Sequence, residues 1–474
     1  MCGVFGIRSD DRDVARVAYF GMYALQHRGQ ESAGIAVSDR GRLTVMRDMG
    51  LVAHVFSEQQ LQALPGDVAI GHTRYSTTGS ALWANAQPVV HHGRERRVAL
   101  GHNGNLTNAA ELREELVAAG IRFSSSSDTE VIAALLAREP GELSKAVAKT
   151  MARLEGAYSV VALSGDTLVA FRDPHGIRPL ELGRIGEDWV IASESCAFDL
   201  IGATWEREVR PGEVVWVEGK ELRSAQALPE GRGALCIFEH VYFARPDSRL
   251  AGTEVHGSRV RMGQRLAQEA PAEADLVMPI PDSGTPAAIG FAKESGIPYE
   301  EGLIKNRYVG RTFIQPNQKQ RGTDVRLKLN PLRDNIKGKR LVVVDDSIVR
   351  GTTTRQIIAL LREAGATEVH FRVSSPPYRW PCFYGLDTGK RSDLLAADME
   401  IGEIALYLGV DSLAYLDLDH LVAATDSPRE SFCTACFTGD YPVAVPEYDT
   451  KHVLEVESRT IHVSGTISGT AERA

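Results

Sequence analysis

The pattern of apolar runs changes partway along the chain, and that change limits the fold more than any other feature. Up to about Lys220 the sequence reads as many short strands, among them AGIAVSD, LTVMRDM, VAIGHTRY, VVALSG, LVAFRD, WVIASES and EVVWVEG, parted by Gly and Asp turns. Helical spacing in VARVAYFGMYALQHRG and NAAELREELVAAG interrupts them, the second run ending on Gly120. This mixture predicts an α+β layered domain. AQALPEGRGA, residues 225–234, is polar with Pro and Gly and reads as a linker. Beyond it strand and helix alternate: LVMPIPDSG then TPAAIGFAKESG, RLVVVDDS then TTTRQIIALLREAG, then EVHFRVSS. Alternation of that kind predicts a parallel sheet with helices on its faces and ligands at the carboxyl ends of its strands.

At 474 residues the chain exceeds what one core usually organises. The domains are drawn as 2–230 and 231–445, with a tail, 446–474, expected to be partly disordered. With 43% hydrophobic and 24% charged residues and no apolar run near the roughly 20 residues that span a bilayer, no membrane partner is expected. The start, MCGVFGIRSDDRDVARVAYF, has neither a signal-peptide nor a transit composition, so the expected location is cytoplasmic. A formal charge of -9 argues against a nucleic-acid surface. Six cysteines, at 2, 196, 236, 382, 433 and 436, are too sparse for a disulfide scaffold and read as chemistry or packing.

Cys2 is followed by Gly3, and a small second residue lets Met1 be removed, which leaves thiol and α-amine on one residue. An α-amine with a pKa of about 7.7 to 8.0 can take the thiol proton. HTRYSTTG puts Arg74 after an apolar strand, where it suits either a substrate carboxylate or a surface ion pair. In GHNGNLTN, the Asn103 side chain with the Gly104 N–H suits an oxyanion hole, or the pair makes an ordinary turn. In SSSSDTEV, Asp128 is an N-cap or a site for a substrate ammonium. MCGVFGI, LQHRGQESAGIA, GHTRYSTTG, GHNGNLTN and SSDTEV together resemble the glutamine amidotransferase domain of the N-terminal nucleophile type. The resemblance implies a four-layer αββα domain in which Cys2 attacks the glutamine amide, Arg74 and Asp128 grip its carboxylate and amine, and Asn103 and Gly104 stabilise the oxyanion.

LVVVDDSIVRGTTTRQI is a strand, two carboxylates, a small-residue loop and a helix, a cradle for phosphate with Thr352, Thr353 and Thr354 adding hydroxyls. Asp345 and Asp346 would repel phosphate and suit ribose hydroxyls or Mg²⁺ instead. The wording resembles the phosphoribosyl pyrophosphate (PRPP) loop of type I phosphoribosyltransferases, an α/β fold. The resemblance implies PRPP contacts from Asp345, Asp346, Ser347, Arg350, Gly351 and Thr352 to Thr354, with Ser283 of PIPDSGTPAA joining the two aspartates around Mg²⁺. It also makes KNRYVGRTFIQPNQKQR a mobile loop carrying Lys305, Arg307 and Arg311 to the pyrophosphate. Four further thiols, Cys236, Cys382, Cys433 and Cys436, fit zinc, an iron–sulfur cluster or plain packing by count. Their surroundings, ALCIFEHVYFARPDS, PPYRWPCFYG and FCTACFTGDYP, look like the Bacillus-type amidophosphoribosyltransferases, in which these positions ligate a 4Fe-4S cluster; Cys196 is left as packing.

As a whole the chain resembles that family, glutamine phosphoribosylpyrophosphate amidotransferase, which opens de novo purine synthesis. The resemblance implies glutamine and PRPP as substrates, an ammonia channel between the domains, inhibition by purine nucleotides and a homotetramer. Cluster-bearing members commonly carry a propeptide before the nucleophile, where only Met1 stands here. A PRPP sensor without turnover and amidotransfer to another acceptor, as in glucosamine-phosphate synthesis, are the competing readings.

Overall fold

The computed structural model describes residues 1–76, 78–306, 326–388, 390–446 and 453–455. Two antiparallel sheets stack in the first half. The seven-stranded sheet runs Thr204–Glu208, Glu181–Ile185, Asp188–Ala192, Gly3–Arg8, Val68–Arg74, Ser32–Asp39, Arg42–Met49 from edge to edge. The six-stranded sheet runs Glu221–Gln226, Glu213–Glu218, Thr167–Arg172, Gly156–Ser164, Arg97–Leu106, Val89–His92. Strand alternation turns Val4, Ala36, Val68 and Ile70 of the first toward Ala99, Val161, Leu163 and Leu168 of the second, and these form one inter-sheet core. Helices Val14–Ala24 and Cys196–Ile201 cover the outer face of the first sheet, where Phe5, Ile7 and Ile35 lie. Helices Ala109–Ala118, Asp128–Arg138 and Leu143–Met151 cover the second over Val98, Leu100 and Val160. The order of layers is αββα, as the resemblance implied.

Glu221–Gln226 extends the six-stranded sheet into the expected linker, with Ala225 and Gln226 paired to Val214 and Glu213. Residues 227–234 then lead to a two-residue strand, Leu235–Cys236. In the second half, Leu276–Pro279, Arg340–Asp345, Glu368–Val373 and Ser412–Tyr415 form a parallel sheet in that order. LVVV reads as an unbroken apolar run because both its faces are covered. Val342 and Val344 pack toward helices Val255–Glu269 and Thr285–Ser295, while Leu341 and Val343 pack toward helices Thr352–Glu363 and Ile401–Leu408. The first two helices cross so closely that a methyl group on Gly263 would lie 1.8 Å from the Ala287 carbonyl oxygen.

Of the tail, Val453–Glu455 are described and packed on the first half: Leu454 is buried in the core beneath the helices of the six-stranded sheet, and Glu455 accepts a hydrogen bond from the Ser80 N–H at 2.6 Å. Two apolar residues, Val453 and Leu454, are too short a run to carry a period, so the sequence gives no sign of this contact. The last residues of the tail, read as disordered, lie outside the described residues, as do Arg307 and Arg311. Among the described residues no helix is long and apolar enough to cross a membrane.

Candidate active sites

Cys2 opens the central strand of the seven-stranded sheet, and the adjoining sheet brings Asn103 to it. The Cys2 N–H donates to Asn103 Oδ1 at 3.0 Å, and the thiol lies 3.5 Å from the Tyr75 carbonyl oxygen. Asn103 is fully buried and its Nδ2 has no hydrogen-bond partner, a donor held ready for an acceptor. Gly104 follows with φ +147°, and a Cβ there would meet the Ala157 oxygen at 2.0 Å, so no other residue fits.

Arg74 ends the strand beside Gly3–Arg8. Its guanidinium donates to the carbonyls of Thr78, Gly79 and Ser80 at 3.1, 3.2 and 3.2 Å and lies 3.5 Å from Glu31, so it shapes the turn that follows it. Burial pulls its pKa down, opposed by the nearby Cys2, Glu31 and Asp128. Asp128 is the first residue of its helix rather than the cap; Ser127 caps, accepting from the Thr129 N–H. Asp128 instead accepts from the Leu106 N–H at 3.0 Å and lies 3.8 Å from His102 Nδ1. Burial works to raise its pKa, but His102 and the backbone donors outweigh it and hold the carboxyl below its ordinary range.

Beneath Cys2 runs a buried charge path that sequence reasoning missed. Arg28 donates to the Cys2 carbonyl at 3.0 Å and pairs with Glu194 and, at 2.8 Å, with Glu239, all three side chains being fully buried. Glu239 also lies 3.6 Å from Arg178, which donates through Nε and Nη2 to the Tyr384 carbonyl at 2.9 and 2.6 Å. HRG stands in one of the quoted segments, but nothing in spacing links position 28 to position 239.

At the second site Asp345 closes its strand and Asp346 begins the loop, both largely buried. Asp345 Oδ1 accepts from the Asp346 N–H at 3.0 Å, and the Ser347 hydroxyl donates to Asp346 at 2.7 Å. Burial, then the neighbouring Asp346 charge, push the Asp345 carboxyl well up. Ser283 lies in the turn before helix Thr285–Ser295, and that turn abuts the strand end: a Cβ on Gly284 would lie 2.4 Å from the Val344 oxygen. Gly351, at φ +70°, precedes helix Thr352–Glu363; Thr352 and Thr353 are exposed at its start and Thr354 is buried. Arg350 pairs with Asp393 at 3.2 Å and Lys305 with Asp282 at 2.5 Å.

The four remaining thiols meet at one cavity. Strand Leu235–Cys236 pairs in parallel with Phe432–Cys433, setting Cys236 opposite Cys433, while Cys436 follows on the next short helix. Cys382 completes the lining with Arg178, Tyr384 and Tyr441. Arg178 Nη1 is buried without a hydrogen-bond partner. Burial pushes the Cys236 thiol up to about 11, with Arg178 opposing. Among the described residues no three His, Cys, Asp or Glu side chains converge on the position of one metal ion. Cys196 is buried apart from these, near Glu194.

Fold and sites together define a glutamine amidotransferase domain joined to a phosphoribosyltransferase domain: residues 72–199 match the family model of the former and 260–375 that of the latter. The chain is 49% identical over 470 residues to the amidophosphoribosyltransferase of Mycobacterium tuberculosis, spanning 96% of this chain and 89% of that one. It is 51% identical over 466 residues to that of Synechococcus elongatus, spanning 97% and 94%. Among solved structures, the glutamine PRPP amidotransferase from B. subtilis complexed with ADP and GMP is 44% identical with a TM-score of 0.89, over 94% of this chain and 99% of that one. The chain belongs to the amidophosphoribosyltransferase family.

Proposed function

We infer that the chain converts glutamine, PRPP and water into 5-phosphoribosylamine, glutamate and pyrophosphate, the opening step of de novo purine synthesis. The observation that carries this reading is the unpartnered Asn103 Nδ2 beside Cys2, in a chain whose second half ends a parallel strand in Asp345 and Asp346. With Met1 removed, the nitrogen now bonded to Asn103 Oδ1 is the α-amine. It takes the thiol proton, and the sulfur attacks the amide carbon of glutamine. Asn103 Nδ2 and the Gly104 N–H receive the developing oxyanion, while Arg74 and Asp128 hold the substrate's carboxylate and ammonium. Ammonia leaves with a proton from the amine, and water releases glutamate from the thioester. At the second site ammonia displaces pyrophosphate from the anomeric carbon of PRPP.

Two adjacent buried carboxylates call for a hard cation. Asp345 and Asp346, with Ser283, fit Mg²⁺ held largely through water and pyrophosphate oxygens. Ser347, Arg350, Gly351 and Thr352 to Thr354 line the phosphate loop, and Lys305, Arg307 and Arg311 serve the pyrophosphate. Four thiols around one cavity, beside a buried guanidinium with a spare donor, suit an anionic iron–sulfur cluster. Cys236, Cys382, Cys433 and Cys436 would hold a 4Fe-4S cluster, which there would cross-link three chain segments. The ADP and GMP in the B. subtilis complex support purine nucleotides as ligands of this chain, which on this reading act as its inhibitors. Phe20, Tyr23 and Leu200, exposed on the two packed helices Val14–Ala24 and Cys196–Ile201, support self-association, with the homotetramer resting on the family resemblance.

The test is release of glutamate and pyrophosphate by anaerobically purified protein given glutamine and Mg²⁺, with and without PRPP. Both products are expected together with PRPP. Glutamate without pyrophosphate would point to another acceptor, and silence from cluster-loaded protein would favour a PRPP sensor.

A further inference from the structure

Asn105, buried and two residues beyond Asn103, joins two separate parts of the molecule to its own strand. Its Oδ1 accepts from the Thr78 hydroxyl, and the Thr78 carbonyl is one of those that fix Arg74. Its Nδ2 donates to the Phe383 carbonyl at 3.0 Å, in the residue next to Cys382. The same segment makes two further contacts with the first half. Arg178 donates to the Tyr384 carbonyl, and the space beside Gly385 is closed by Gly104, whose carbonyl carbon and oxygen lie 3.4 Å from where a Cβ would stand. The segment Cys382–Gly385 is thus laid along the strand that carries the oxyanion donors, with one end at the thiol cavity.

We propose that Asn105 is a positioning residue that ties the glutamine turn and the oxyanion strand to the segment carrying Cys382, so that the thiol cavity governs how well the first site hydrolyses glutamine. The inference rests on the reading of Cys2 and Asn103 as a glutaminase and of the four thiols as cluster ligands. An oxyanion donor acts only when it is held at the right point, and a displacement of an ångström or so is worth as much as about a hundredfold in rate. Two side-chain bonds from one amide set that point against both neighbours. A loosened Cys382 segment would release the Phe383 carbonyl, then Asn105, then the strand; the parallel sheet carrying Asp345 is not on this path.

Asn105→Asp keeps an acceptor for Thr78 and removes the donor to Phe383, and Thr78→Val removes the other bond. Each is purified anaerobically and assayed for iron and sulfide, for glutamine-dependent and ammonium-dependent pyrophosphate release, and for Cys2 alkylation by iodoacetamide. We expect glutamine-dependent kcat to fall about tenfold in each variant, with KM within twofold, while iron, sulfide, alkylation and ammonium-dependent turnover stay at parental values. Removing iron from the parent with a chelator should lower glutamine-dependent turnover ahead of ammonium-dependent turnover, and Asn105→Asp should lose that selectivity. Parental kcat in both variants, a parallel fall in the two activities, or equal sensitivity of parent and variant to iron removal would overturn the proposal. A parent without ammonium-dependent turnover would instead defeat the functional reading beneath it.

Discussion

Asn103 and Glu181 are both buried polar side chains with one unpartnered atom, and they call for opposite experiments. Asn103 accepts from the Cys2 N–H through Oδ1 and keeps Nδ2 unpartnered; on the function proposed above, Asn103→Ala should lower glutamine-dependent kcat about a hundredfold or more and leave ammonium-dependent turnover intact. Glu181 sits in the seven-stranded sheet, where burial, and then Glu208, raise its pKa from 4.5 to about 8. Between those values the folded chain keeps a proton that the unfolded chain has released, so stability falls as pH rises through that window. Glu181→Gln should therefore raise the melting temperature at pH 8.5 and change it little at pH 4.5. Cys2, Asn103 and Asp345 could be singled out as candidates from the sequence because each stands in a short segment whose wording is local. Asn105 could not, because its partner at Phe383 is 278 positions away and the bond is to a backbone oxygen.

At the scale of elements, what the sequence announced depended on burial. Leu341 to Val344, covered on both faces, made an apolar run that could hardly be missed, whereas Thr204–Glu208 and Glu221–Gln226 lie at sheet edges and read as polar. The crossing of helices Val255–Glu269 and Thr285–Ser295 was also hidden, since Gly263 looks like a weak point in a helix until Ala287 is seen against it. Gly263→Ala should destabilise the second half by about 1–3 kcal/mol, because a methyl group at 1.8 Å from a backbone oxygen forces the helices apart. Chemical denaturation of the full chain, followed by tryptophan fluorescence, would measure it.

Across the whole molecule, the sheets of the first half and the thiol cavity of the second are joined through fully buried charges, Arg28 and Arg178 on one side and Glu239 on the other. Glu239→Ala leaves buried Arg178 with backbone acceptors alone and Arg28 with Glu194 as its one carboxylate, and a loss of about 3–5 kcal/mol is expected, visible as a lowered melting temperature and poor recovery of folded protein. A conservative Glu239→Gln should retain more of the fold, because it still accepts hydrogen bonds from Arg28.

The same charges decide whether the chain can be taken apart. A fragment ending at the linker would carry Arg178 without its acid and Arg28 with Glu194 as its one remaining carboxylate, and its complement would carry Glu239 without its bases. Each piece would have to hydrate a surface built to be dry, although each has its own sheet and its own chemistry. Modularity of activity is therefore not modularity of folding: neither half is expected to be recovered as a stable protein by cutting at residue 230, and exchanging one half for a distant relative's should succeed only if the acid and both bases travel with it.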